Sequence, residues 1–113
     1  MTKQIKQNIF EETKENIISL FDPHLLKIIL YGSYARNDET NESDIDFLVL
    51  TDLNDEAIRK LDDEITRITV YLTLKYDILF SFIIINKDHY NEWLNIIPFY
   101  TNVSKEGIVI YGR

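Results

Sequence analysis

A chain of 113 residues, 45% hydrophobic and 27% charged, has the composition of one soluble globular domain, and its net charge of −7 disfavours nucleic acid as the main partner. It contains no cysteine, which excludes disulfides, thiolate nucleophiles and zinc–thiolate sites. No apolar run approaches the ~18 residues of a membrane span, and MTKQIKQNIF lacks the apolar core of a signal peptide, so a single cytoplasmic domain over 1–113 is expected.

Gln4 to Phe21 sets Ile5, Ile9, Ile17 and Leu20 near one face, with Thr13 filling the gap, and this predicts a helix. Asp22-Pro23 ends it, because the residue before proline avoids the α region. Leu26 to Tyr31 is a nearly continuous apolar run and predicts a buried strand. Gly32-Ser33 then opens a short helical turn to about Asp38. The segment from Asp44 to Thr51 predicts a second strand, with Asp44 and Asp46 on one face and Ile45 directed into the core. Asn54 is a good N-cap, followed by Asp55 and Glu56 in a first turn. The stripe Ile58, Leu61, Ile65, Ile68 and Leu72 carries that helix to about Leu74. Asp77 through Ile85 predicts the third strand, with Asp77 at its mouth. Lys87 to Ile97 predicts a shorter helix stopped by Pro98, and Glu106 to Tyr111 a turn and a last short strand. Strands alternating with helices imply an α/β (α+β) arrangement: a small mixed sheet with helices packed chiefly on one face.

The segment richest in chemistry is GSYARNDETNESDIDFLVL, in which ten residues separate Ser33 from Asp44. Two carboxylates on one sheet face repel each other, by about 4 kcal/mol at ~4 Å and an effective dielectric near 20. Separation, protonation or a cation must relieve that repulsion, and a divalent metal is the functional answer. Asp-x-Asp by itself usually means two solvated acids at a strand end. The fixed Gly-Ser before it adds a backbone able to approach a phosphate closely and a hydroxyl beside it. Arg36 is a candidate phosphate contact, with a surface pair to Asp38 or Glu39 as the alternative. His24 and His89 have no triad partners and read as structural or surface residues, and Trp93 beside Ile96, Ile97 and Phe99 reads as core. Tyr31, Tyr34, Tyr71 and Tyr100 are all able to stack on a base, and the sequence does not choose among them.

The same segment resembles the signature of the DNA-polymerase-β-like nucleotidyltransferases, and the chain length is similar to that of their small branch, the minimal nucleotidyltransferases (MNT). Gly32, Ser33, Ala35, Arg36, Ser43, Asp44, Ile45 and Asp46 match the family pattern. Tyr34 departs from it where a basic residue is frequent, and Asn37 where glycine is frequent. Asparagine tolerates positive φ better than most residues, so the turn can survive. The resemblance implies a polymerase-β-like fold and a nucleotide site at Gly32, Ser33 and Arg36. It implies Asp44, Asp46 and Asp77 as catalytic and metal-binding residues, Asp77 being the match by position for a third acid on a neighbouring strand. Magnesium, two ions of it, and ATP follow as cofactor and substrate, with AMP moved to an acceptor hydroxyl. Among MNT proteins that acceptor is often a tyrosine of a HEPN-domain ribonuclease toxin, which makes the MNT protein the antitoxin. The sequence stops at Arg113 without a helical second domain, so a partner chain is expected to supply the acceptor. The alternatives are an antitoxin acting by occlusion alone, its acidic surface covering a basic groove, and a small-molecule or tRNA nucleotidyltransferase. No Walker-type Gly-Lys-Ser/Thr loop is present, which argues against a P-loop mechanism.

Overall fold

Thr2 starts the first helix by accepting the Ile5 N–H on its hydroxyl, and α1 (Lys3–Phe21) then buries Ile9, Thr13, Ile17 and Phe21, every fourth residue, in the computed structural model. The structure describes residues 1–112. The buried stripe differs slightly from the expected one: Ile5 is exposed and Phe21 takes the place at the far end. The apolar run becomes β1 (Leu25–Tyr31), a one-turn helix α2 (Ser33–Arg36) follows, and β2 (Ile45–Thr51) returns antiparallel to β1.

The helix expected over 54–74 is two helices, α3 (Asp55–Arg59) and α4 (Asp62–Tyr76). The chain turns at Lys60-Leu61, where the Leu61 N–H reaches back three residues to the Ile58 carbonyl. Asp62, Asp63 and Glu64 then fall in the first turn of α4, where negative charge suits the helix dipole. The third strand, β3 (Phe80–Asn86), runs parallel to β2. Pro98 does not stop a helix; it begins one. α5 (Lys87–Trp93) ends earlier than expected, and Pro98 occupies the start of α6 (Pro98–Glu106), where its missing N–H costs no helical hydrogen bond. β4 (Ile108–Gly112) closes the sheet against β1, giving the order β3-β2-β1-β4.

Alternation along the strands divides the core in two. Ile28, Leu30, Ile45, Phe47 and Val49 face the two long helices α1 and α4. Ile29, Leu48 and Leu50 face the two short helices α5 and α6, which contribute Tyr90, Tyr100 and Val103. Phe47 is fully buried and stacks on Phe80 and Phe82, with centroids 6.3 and 5.4 Å away. Such ring pairs add about 0.5–1.5 kcal/mol beyond burial alone. Among the described residues no helix is long and apolar enough to cross a membrane.

Candidate active site

The site forms where β1 runs out beside β2. The ladder pairs Tyr31, the last residue of β1, with Asp46. Gly32 follows at φ 76°, and a Cβ built there would lie 2.7 Å from Asp46 Oδ2. The left-handed backbone favours glycine here, and the missing Cβ lets the Asp46 carboxylate approach the chain closely. The Gly32 carbonyl then accepts the N–H groups of Ala35 and Arg36, which fixes the α2 turn. Asn37 closes that turn at φ 59°, the left-handed conformation expected of an asparagine standing in for glycine.

Asp44 is exposed and lies just before β2, which begins at Ile45. Ile45 is buried, and its N–H donates to the Leu79 carbonyl, tying the two segments together at this end of the sheet. Asp46 is half-buried. Burial raises its carboxyl above the usual aspartate range, the charge of Asp44 raises it further, and the Arg36 guanidinium partly opposes both. Burial, with the negative charge of Asp46, in turn pushes the Tyr31 phenol up to about 12. These four side chains thus share one electrostatic corner. Arg36 donates from Nε to Asp38 at 3.1 Å and from Nη1 to Glu106 at 3.4 Å, so the expected surface pair with Asp38 is present. A cleft of about 250 Å³ opens between α2 and α6, lined by Tyr31, Gly32, Arg36, Phe99, Asn102 and Glu106. Phe99 meets the Tyr31 ring edge-on at 5.3 Å. The last three of these residues were missed in the sequence because the helix carrying them was not expected.

Asp77 requires a correction. It does not open the third strand, which begins at Phe80, and instead caps α4 in the left-handed region at φ 55°, its N–H donating to the Thr73 carbonyl. Aspartate tolerates that conformation better than most residues, which accounts for it at a helix end without glycine. It lines a different cleft, of about 400 Å³, with Lys6, Tyr34 and Glu39. Among the described residues no three His, Cys, Asp or Glu side chains stand together as a metal cluster, so Asp77 does not join Asp44 and Asp46. The β3 residue paired with Asp46 is Ser81. His24 lies 2.8 Å from Asp52 in an exposed pair at the opposite end of β1 and β2, and Trp93 packs against the core on the side of α5 and α6.

Two hard carboxylates beside a backbone cradle that a Cβ would fill suit magnesium, which keeps several waters and takes substrate phosphates as further ligands. Asp44 and Asp46 are the residues able to hold it. The three-carboxylate set that would hold two ions is not assembled.

Comparison with known proteins identifies the family and the fold. Residues 10–100 match a family model described as a nucleotidyltransferase domain. A Methanocaldococcus jannaschii protein that carries the name putative protein adenylyltransferase is 33% identical over 106 residues, spanning 94% of this chain and 98% of that one. Among solved structures, the fold is similar to a chain of tri-AMPylated Shewanella oneidensis HEPN toxin in complex with MNT antitoxin. That likeness has a TM-score of 0.57 and 18% identity and covers 95% of this chain and 72% of the other. A toxin–antitoxin structure with AMP-PNP gives a TM-score of 0.53 and 22% identity, covering 88% of this chain and 73% of that one.

Proposed function

The chain belongs to the nucleotidyltransferase domain family, and from that premise we propose that it transfers AMP from ATP to a tyrosine hydroxyl of a HEPN-type ribonuclease toxin, acting as its antitoxin. The observation that carries this reading is the Gly32 backbone set against Asp46, with Asp44 and Arg36 in the same corner. A relative named for protein adenylylation, aligned over nearly the whole chain, supports a protein as acceptor. The fold likeness to toxin–antitoxin chains supports the kind of partner.

In this reaction the acceptor oxygen attacks the α-phosphorus, the bond from that phosphorus to the bridging oxygen breaks, pyrophosphate leaves, and the acceptor proton passes to solvent. The Gly32 backbone admits a phosphate oxygen close to the chain, and the Ser33 hydroxyl and the Arg36 guanidinium hold the phosphates in place. Asp44 and Asp46 would hold magnesium, whose charge offsets that of the phosphates. Ile45, anchored in the core between the two acids, keeps them on a rigid strand end.

The net charge of −7 favours a second reading, in which the acidic chain neutralises a basic ribonuclease groove by covering it. One experiment addresses both. ATP radiolabelled at the α-phosphate is supplied with the partner toxin and either the parent or the Asp44→Asn, Asp46→Asn double variant. Transfer is expected with the parent only, and growth protection is expected to be lost with it. Full protection by a variant shown to lack transfer would overturn the enzymatic reading in favour of occlusion.

A further inference from the structure

We infer that Ser81 stands at the third-ligand position of this corner and, being uncharged, leaves a two-carboxylate site that takes its metal together with the nucleotide rather than ahead of it. The inference rests on the nucleotidyl-transfer reading above and deepens it. The parallel ladder pairs Ile45 with Phe80, Asp46 with Ser81 and Phe47 with Phe82. Paired residues of neighbouring strands project from the same face of a sheet. Packing checks the assignment independently: Phe47, Phe80 and Phe82 stack together in the core on the α1 and α4 side. The residue between the two phenylalanines must then share the Asp46 face, and that residue is Ser81.

The β3 position directly beside Asp46 on its face of the sheet is this one. Asp77 lies four residues earlier, in the turn that ends α4, and lines the cleft of Lys6 and Glu39 instead. The half-buried Ser81 offers a hydroxyl but no charge. The protein therefore contributes two negative charges to a bound cation. Affinity for hard cations follows the number and charge of the oxygen ligands, so the bare corner binds a divalent ion weakly. The phosphates of ATP supply the missing negative ligands, which makes the metal–nucleotide complex the species the site recognises. The same substitution leaves the corner without a side-chain base beside the acceptor. A phenol, with an ordinary pKa near 10, ionises far more readily than an aliphatic hydroxyl and needs such a base least.

The test is manganese binding by electron paramagnetic resonance, on the full chain and with no nucleotide present. Mn²⁺ shares the oxygen-ligand preference of magnesium. Ser81→Asp is expected to tighten Mn²⁺ binding by about tenfold or more, Ser81→Asn and Ser81→Ala to leave it within about twofold, and Asp77→Asn to leave it unchanged. Adding ATP should tighten Mn²⁺ binding strongly in the parent and much less in Ser81→Asp. A Ser81→Asp chain that shows native circular dichroism but no gain in Mn²⁺ affinity overturns the assignment, as does a loss of binding in Asp77→Asn. If Ser81→Asp does not fold, the Ser81→Ala and Asp77→Asn arms still decide: either one losing Mn²⁺–ATP binding refutes it. Mn²⁺–ATP binding that survives the Asp44→Asn, Asp46→Asn double variant would instead remove the underlying site, a result distinct from the failure of Ser81→Asp.

Discussion

The two faces of the sheet are built for different work, and β2 serves both. On the side of α1 and α4 its alternate residues Ile45, Phe47 and Val49 are essentially inaccessible and pack against Ile9, Ile17, Phe21 and Leu72. On the side of α5 and α6 the same strand presents Asp46, then Leu48 and Leu50, under two short helices that leave a cleft beside Tyr31 and Gly32. The period-2 alternation of a strand lets one seven-residue segment hold the fold with one set of side chains and present its chemistry with the other. The long helices stabilise, and the short ones leave space.

The sharpest way to break that comparison is to truncate neighbours on β2. Phe47→Ala should destabilise the fold by about 3–5 kcal/mol, since it empties a fully buried aromatic site. Asp46→Asn, one residue away, should leave ligand-free stability unchanged or raise it slightly, because it removes a charge that burial and Asp44 both disfavour. Thermal scans with and without Mg-ATP separate the two. Phe47→Ala should lower both melting points together and keep the shift between them. Asp46→Asn should abolish the shift. A Phe47→Ala chain that unfolds like the parent would show that the division between faces is wrong.

Gly32→Ala strikes the junction between the faces, and its effect should be next in size. The added Cβ meets Asp46 Oδ2 at 2.7 Å and must adopt φ 76°, so a loss of about 1–3 kcal/mol is expected. Mg-ATP binding should weaken as well, because Asp46 has to move. Chemical denaturation and calorimetric titration of the variant measure the two effects. Unaltered nucleotide affinity would mean that the Gly32–Asp46 approach has no part in binding.

The legibility of this site in the sequence follows the range of the contacts involved. Gly32, Asp44 and Asp46 lie within one loop and the strand ends on either side of it, so spacing and alternation were enough to bring them together. The partner of Asp46 on β3 is set by ladder register across thirty-five residues of chain, and no local pattern encodes it; Asp77 matches by position only if the strand opens there, whereas β3 begins at Phe80 and the register pairs Ser81 with Asp46. Pro98 is compatible both with ending a helix and with starting one, and taking it as a stop concealed α6 and with it Phe99, Asn102 and Glu106. The break at Leu61 lies within an unbroken apolar stripe and shows only in a backbone hydrogen bond. The position of β4 beside β1 was equally invisible, because the last strand in the chain reaches the first only through the finished sheet.

A smaller effect belongs to the stabilising face alone. Glu12 on α1 accepts the hydroxyls of Tyr71 and Tyr76, each at 2.6 Å, and lies 2.8 Å from Lys75 Nζ, all on α4. Burial opposes its ionisation, but the hydrogen bonds from Lys75, Tyr71 and Tyr76 and the lysine charge outweigh it, taking the carboxyl from 4.5 to about 2. A lowered folded-state value means that the unfolded chain binds the proton more readily. This stabilisation is therefore fully present above about pH 4.5 and is lost as pH falls towards 2. After solvent screening it should amount to about 1–2 kcal/mol. Urea midpoints recorded between pH 2 and 7 should fall less steeply towards acid in Glu12→Gln than in the parent, with Mg-ATP affinity at neutral pH unchanged. Parallel curves would mean that Glu12 does not link the helices in solution.

The smallest expected effect lies on the other face, at Arg36. Its guanidinium is shared between Asp38 on its own loop and Glu106 at the end of α6, yet its charge also reaches Asp46. A phosphate entering beside Gly32 competes with Glu106 for the same donors and meets the repulsion of that carboxylate. Glu106→Gln removes the competitor while keeping the side-chain size, so Mg-ATP should bind about two- to threefold more tightly, an effect limited by the exposure of the pair to solvent. In an Arg36→Gln background the gain should shrink, because the guanidinium that Glu106 withholds is no longer there to be released. That double-mutant cycle, read by calorimetric titration at two salt concentrations, separates competition for Arg36 from a general loss of negative charge. The general effect should persist without Arg36 and fade with salt. A gain of the same size in both backgrounds would leave Arg36 out of the nucleotide site, and weaker binding in Glu106→Gln would place the carboxylate among the groups that hold the nucleotide.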